Sequence, residues 1–141
     1  MLFRSLAYEG VTMFKPNLKE LKEGLKIEFD KADKQEVQHA ADLMRERFNI
    51  KSTLITLSEH GIFVSDGKEN HFLPAHLRSI SDVSGAGDTV VSVAALALAL
   101  KLPLHQIAEL SNLAGGIVCE YIGVVPIDKA RLEKEAEEIF N

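Results

Sequence analysis

The run Thr53-Leu54-Ile55-Thr56-Leu57 most constrains the fold. It is β-prone and shows no polar–apolar alternation, so as a strand it must be covered on both faces, as in a parallel sheet. Helices to cover it are present. Between Lys34 and Phe48 the apolar residues Val37, Ala40, Ala41, Met44 and Phe48 recur at helical spacing, with charges filling the other face. Upstream, Val11 to Phe14 reads as a short buried strand ending at Lys15-Pro16. Asn17 then opens a short helix, with Glu20 at capping-box spacing and Gly24 expected to close it. Downstream, Gly61 to Ser65 and Asn70 to Leu73 flank Asp66-Gly67, a hairpin signal.

Three helices are expected after that. A long apolar one begins at Gly87-Asp88, runs through Leu100 and reads as buried; Leu102-Pro103 breaks it. A second covers Leu104 to Glu120, and a loop follows over Gly123 to Pro126. Asp128 caps a last amphipathic helix, Lys129 to Phe140, whose run from Arg131 to Glu138 reads as a solvated charged face. The order is an α/β pattern in which few strands serve many helices. The sheet therefore reads as incomplete, with a preceding segment expected to complete it. No repeat, low-complexity tract or linker divides the 141 residues.

The chemistry concentrates at Gly85-Ala86-Gly87-Asp88. Two glycines around a small residue allow positive φ and close backbone approach to a ligand. The free N–H groups of the helix that follows favour an anion. An aspartate in the same turn can accept a proton from a hydroxyl held nearby, so positioning, charge stabilisation and a base for phosphoryl transfer coincide. The same four residues are also an ordinary helix start.

The longer string Asp82-Val83-Ser84-Gly85-Ala86-Gly87-Asp88-Thr89 resembles the C-terminal signature of the PfkB family of ribokinase-like sugar kinases. The resemblance implies an incomplete ribokinase-like three-layer α/β/α fold, of which the whole chain, residues 1–141, is the C-terminal, nucleotide-binding half. It implies Asp88 as catalytic base and the amides of Gly85, Ala86 and Gly87 as the anion hole. It also implies a monovalent cation, K⁺, near Asp82, the Ser84 carbonyl and Gly123. Three companions follow the family's order. Asn17-Leu18-Lys19-Glu20 resembles its N-x-x-E motif, which helps place Mg²⁺ and phosphate, Glu20 acting through water; Asn17 and Glu20 are equally a capping box. Thr56-Leu57-Ser58-Glu59-His60-Gly61 resembles the nucleotide loop T-L-G-x-x-G, with Ser58 in place of the first glycine. Ser111-Asn112-Leu113-Ala114-Gly115-Gly116 resembles the helix lining the adenine pocket, with Asn112 as the candidate.

The texture of Phe14 to Glu20 and Leu57 to Gly61 is most similar to the heptose-phosphate kinase branch, which phosphorylates a heptose 7-phosphate at the anomeric position. The resemblance thus implies ATP and Mg²⁺ as cofactors and a small sugar or sugar phosphate as acceptor. It further implies association as a homodimer or with the N-terminal half that normally carries the sugar contacts and lid. A nucleotide-binding fragment without turnover, and an α/β subunit completed by a partner chain, are the other readings.

Composition narrows the partners. A net charge of −5 argues against nucleic acid, whose phosphates need a basic face. The apolar run Thr89 to Leu100 is shorter than the roughly 20 residues a membrane helix needs. Met1 to Leu6 carries no long apolar stretch of a secretory signal, and the single Cys119 reads as a small core residue, so a cytoplasmic setting is expected. The five histidines share no metal-ligand spacing; only His60 lies near a motif. No Walker A string occurs, so in a kinase the Gly85 loop must do the anion work.

Overall fold

The computed structural model describes residues 9–76 and 78–141. The Met1 to Leu6 reading lies outside the described residues. The chain divides into two compact units, Met1–Pro74 and Ala75–Asn141.

The first unit is a four-stranded mixed sheet in the order β1-β2-β3-β4, with two helices. Strand β2 (Ser52–Thr56) runs parallel to β1 (Met13–Phe14) and antiparallel to β3 (Ile62–Ser65), which forms a hairpin with β4 (Asn70–Leu73). The non-alternating run is buried as its sequence demanded, but the sheet is parallel on one side only. Ile55 and its partner Phe63 share one face with Phe14 and Leu57. Helices α1 (Leu18–Leu25) and α2 (Lys34–Phe48) supply Leu21, Leu25, Val37, Ala40, Ala41, Met44 and Phe48 to that same core. Leu54 and its partner Val64, facing the other way, are fully buried too.

Two local expectations change. The upstream strand is Met13–Phe14, although Val11 and Thr12 still accept hydrogen bonds from Lys51 and Ser52. Gly24 does not close α1. Lys26 takes the left-handed C-cap at φ 55°, because carrying the helix through Leu25 buries that side chain in the core.

The second unit holds α3 (Ala86–Ala99), α4 (Leu104–Val118) and α5 (Lys129–Phe140, N-capped by Asp128). Helix α3 is not buried all round. Val90, Ala94 and Ala97 form its buried stripe, while Val91 and Leu96 are exposed. The stripe is made of small residues because α3 and α4 approach closely. A Cβ built on Gly115 would lie 2.7 Å from Val90 Cγ2. The valine is stiff at χ1 and has little room to yield.

Gly115→Ala should therefore destabilise the chain by a net of about 1–2 kcal/mol in chemical denaturation, overpacking outweighing the helix-propensity gain. Val90→Ala placed in that background should recover part of the loss, although Val90→Ala alone destabilises. A Gly115→Ala protein as stable as the wild type would show that the two helices do not pack this tightly.

Candidate functional site

In the first unit the parallel pair β1 and β2 brings two motifs to neighbouring strand ends. Asn17 and Thr56 form an isolated parallel bridge, and Thr56 N–H donates to Pro16 O at 3.3 Å. Ligands in α/β sheets gather beyond the carboxyl ends of such strands. Here an open cleft of about 520 Å³ is lined by Asn17, Leu18, Lys19, Lys22, Thr56 and Ser58, among others. The Asn17 and Glu20 side chains make a reciprocal capping box: Glu20 N–H donates to Asn17 Oδ1 at 2.8 Å and Asn17 N–H to Glu20 Oε2 at 2.9 Å. Glu20 Oε1 remains for another partner. Lys19 and Lys22 were not singled out from sequence; their i, i+3 spacing just after Asn17 was the signal available.

The loop after β2 is a single 3-10 turn, Ser58–His60. Leu57 N–H donates to Gly61 O at 2.8 Å and Gly61 N–H to Ser58 O at 3.1 Å. Ser58 has φ 53°, in the left-handed region that favours glycine. The serine thus holds the backbone shape of a glycine at the position where the resembled motif has one. Gly61, at φ 86° and ψ −133°, occupies a region open to glycine alone. Lys31 pairs with Glu59 at 2.6 Å, and this hydrogen bond is the main cause holding the Glu59 carboxyl below its ordinary range. His60 is half exposed and faces Glu59 at 3.6 Å.

In the second unit the 82–88 segment is a turn feeding α3. Gly85 is the N-cap at φ 75°, and a Cβ there would come within 3.0 Å of Val124 Cγ1. Both conformation and space therefore require glycine. Ala86 N–H makes a long 3.3 Å bond to Val83 O, whereas the Gly85 and Gly87 amides engage no acceptor among the described residues. Asp88 lies in the first turn, exposed, its carboxylate without a partner among the described residues. Free amides and a free carboxylate share one helix end, which can receive an anion and a proton.

Asp82 is the opposite case. Its Oδ1 accepts Ser84 Oγ–H at 2.7 Å and Ser84 N–H at 2.9 Å, and its Oδ2 accepts Gly123 N–H at 2.9 Å. These bonds, the Ser84 hydroxyl first, hold its pKa down at about 2. Gly123 reaches this position at φ 80°, again a glycine conformation. So Asp82, Ser84 and Gly123, 41 positions apart at the extremes, do meet. Asn112 is buried in α4. Cys119 is partly buried; burial, then the Asp82 charge, pushes its thiol up, and its carbonyl accepts the Ser81 and Asp82 amides.

One sequence reading is corrected here. Arg131 and Glu135 do not lie on a freely solvated helix face. Arg131 Nε donates to Glu135 Oε1 at 2.9 Å and its Nη2 pairs with Glu120; Arg78 Nη1 donates to Glu120 at 3.0 Å and its Nη2 pairs with Glu135. The partners Arg78 and Glu120 come from distant sequence, which charge patterning along α5 alone does not reveal.

Residues 3–130 match the model of the pfkB family carbohydrate kinases. The bifunctional protein HldE of Methylobacillus flagellatus is 40% identical over 92% of this chain, which covers 26% of that protein. HldE of Syntrophotalea carbinolica is 36% identical over 90% of this chain, again 26% of its own length. The chain thus spans about a quarter of the curated relatives it matches. Among solved structures, phosphofructokinase-2 from Escherichia coli in complex with potassium aligns with a TM-score of 0.86 at 21% identity, covering 96% of this chain and 43% of that one. Ribokinase from Thermotoga maritima aligns with a TM-score of 0.72 at 20% identity, covering 91% and 41%. At these identities the two structures establish the ribokinase-like α/β fold.

Two predictions follow from the site geometry. Ser58→Gly should stabilise the chain by up to about 1 kcal/mol, because the left-handed strain outweighs glycine's added chain entropy; a loss of stability in denaturant would contradict the strained geometry. Asp82 has a folded pKa of about 2 against an ordinary 3.8, so its tie is complete above the ordinary value and is lost as pH falls through about 2. The Ser84 and Gly123 amide resonances should therefore stay constant down through pH 4 or so and move together with a midpoint near 2. A midpoint at the ordinary value would show that the carboxylate is not held.

Proposed function

Because the chain belongs to the pfkB family of carbohydrate kinases, we propose that it is the nucleotide side of an ATP-dependent kinase that phosphorylates a sugar or sugar-phosphate hydroxyl. The observation that carries this reading is the Asp88 carboxylate, without a partner among the described residues, in the same helical turn as the Gly87 amide, which engages no acceptor among them. In the reaction, the sugar hydroxyl oxygen bonds to the γ-phosphorus of ATP while the bridging oxygen bond breaks and ADP departs. Asp88 takes the hydroxyl proton. The Gly85, Ala86 and Gly87 amides face the negative charge on the transferred phosphoryl; for Ala86 this means exchanging its long bond to Val83 for the ligand.

The remaining roles are assigned residue by residue. Thr56, Ser58 and Gly61 form the nucleotide loop, and Asn112 belongs to the adenine side. Mg²⁺, when bound, neutralises phosphate oxygens. Glu20 fits it through water, since only one of its oxygens is committed to the capping box. Asp82, the Ser84 carbonyl and Gly123 fit a monovalent cation such as K⁺, because Asp82 stays ionised and Oδ2 accepts a single hydrogen bond. The HldE relatives and the texture of Phe14 to Glu20 support a heptose 7-phosphate as the acceptor. ATP chemistry and a single cysteine fit a cytoplasmic setting; among the described residues no helix is long and apolar enough to cross a membrane.

A second reading is a nucleotide-binding portion that turns over only when joined to further chain, as a homodimer or with a sugar-binding half. The exposure of Leu96 and Leu100, one turn apart at the end of α3 and 68 and 74% exposed, favours it, since adjoining exposed apolar side chains mark an interaction surface.

The test is ADP release from MgATP with a sugar panel that includes heptose 7-phosphate, comparing wild type with Asp88→Asn. Loss of a general base should lower turnover by about 10²–10⁴-fold while MgATP affinity changes little. Full activity in Asp88→Asn would exclude Asp88 as the base. MgATP binding without sugar-dependent ADP release would support the second reading, and no MgATP binding would count against both.

A further inference from the structure

Helix α5 contributes no fully buried side chain; Leu132 and Ala136, one turn apart, are half-buried. Ion pairs add to its contact with the rest of the second unit. Arg131 reaches Glu120 through Nη2, Glu135 through Nε at 2.9 Å and the Tyr121 hydroxyl through Nη1 at 3.2 Å. Arg78 completes the square with Glu120 at 3.0 Å and with Glu135. The four charges cancel, and their side chains are only 11 to 28% exposed. The Arg131 hydrogen bond depresses Glu120 and the Arg78 hydrogen bond depresses Glu135, so both carboxylates stay ionised. Space for Arg78 is reserved by Gly116, where a Cβ would lie 3.0 Å from Arg78 Nε.

This square is joined at both ends to the 82–85 segment. Glu120 and Tyr121 begin the loop whose Gly123 N–H donates to Asp82 Oδ2 and whose Val124 packs where a Gly85 Cβ would stand. Arg78 lies four residues before Asp82, and the Ser81 and Asp82 amides donate to Cys119 O, next to Glu120, at 2.8 and 3.2 Å. Asp82 Oδ1 then fixes Ser84, the residue before the Gly85 cap.

We propose that Arg131 is a positioning residue: through the Arg78–Glu120–Arg131–Glu135 square it clasps the Tyr121–Val124 loop onto Asp82, and so sets how tightly the Gly85 turn holds a phosphate group. The loop-clasping half stands on the geometry alone; its consequence for ligand rests on the kinase reading above.

The test uses the full chain, ¹⁵N-labelled. Arg131→Met should shift the Gly123 and Ser84 amide resonances, raise their hydrogen exchange about tenfold or more, and weaken MgATP binding by about fivefold in calorimetry, with far-UV dichroism unchanged. Glu135→Gln keeps the shape but removes one charge, and should move the same amides in the same direction by less. It carries the test if Arg131→Met fails to fold. Lys129→Met, which breaks the exposed Lys129–Glu133 pair on the same helix, should leave both amides and MgATP affinity as in wild type. Amides unmoved in Arg131→Met or, failing its folding, in Glu135→Gln would overturn the proposal. So would equal movement in Lys129→Met, or moved amides with unchanged MgATP affinity. A wild type that binds no MgATP would instead refute the kinase reading, and with it the ligand consequence, while the amide shifts still decide the clasp.

Discussion

Strand β2 cannot be left unpaired. Ser52 to Ile55 are all buried, and buried backbone groups must find hydrogen-bond partners. One edge is met by the antiparallel β3, reached through the loop Leu57 to Gly61, which Leu57 N–H closes by donating to Gly61 O at 2.8 Å. The other edge is met by a chain arriving in parallel, which for two residues is β1 and then the Asn17–Thr56 bridge. That second requirement has a functional result. Pairing the two strands up to their carboxyl ends sets Asn17 beside Thr56 and Ser58, which are far apart in sequence, at one cleft. The same pairing that satisfies the backbone assembles the candidate nucleotide motifs.

The second unit meets its constraints differently. Its packing surface is small residues, Gly115 against Val90, and its loops are fixed by charge and by glycine geometry. Asp82 and Asp88 are six residues apart in one segment and have opposite environments. Three hydrogen bonds fix Asp82 and keep it ionised while leaving room at Oδ2, which suits a structural group that could also hold a cation. Asp88 is left open, which suits a group that must gain and lose a proton. Environment rather than residue type leaves one carboxylate held and the other open, which is the division the kinase reading requires.

Legibility in the sequence tracked the range of the interaction. Helix α2 was readable over its full span because five apolar residues repeat at helical spacing. The Asn17–Glu20 capping box and the Asp66-Gly67 hairpin are decided within a few residues and were equally readable. Gly24 misled, because a glycine usually marks a helix end, whereas here the burial of Leu25 was worth more than the stop signal. The long helix from residue 86 misled in the other direction: its composition is apolar all round, but the described chain covers only one stripe. The candidate site divided likewise. The Gly85–Asp88 turn is contiguous and could be read, whereas the Asp82–Gly123 tie spans 41 positions and came only with the family resemblance.

The least legible feature was the one with the widest reach. Arg78 and Glu135 are 57 residues apart, and nothing local distinguishes Glu135 from the neighbouring Glu133, Glu137 and Glu138. Charge patterning along α5 predicts solvation for all of them, since isolated helix pairs are weak. What selects Glu135 is that a guanidinium from another segment lies in a niche kept open by Gly116. A partly buried carboxylate facing two arginines is worth more than an exposed pair, but only while every member is present; removing one leaves its partners uncompensated. A helix with no fully buried side chain thereby gains a cooperative unit of charges at its contact, next to the loop that carries Gly123.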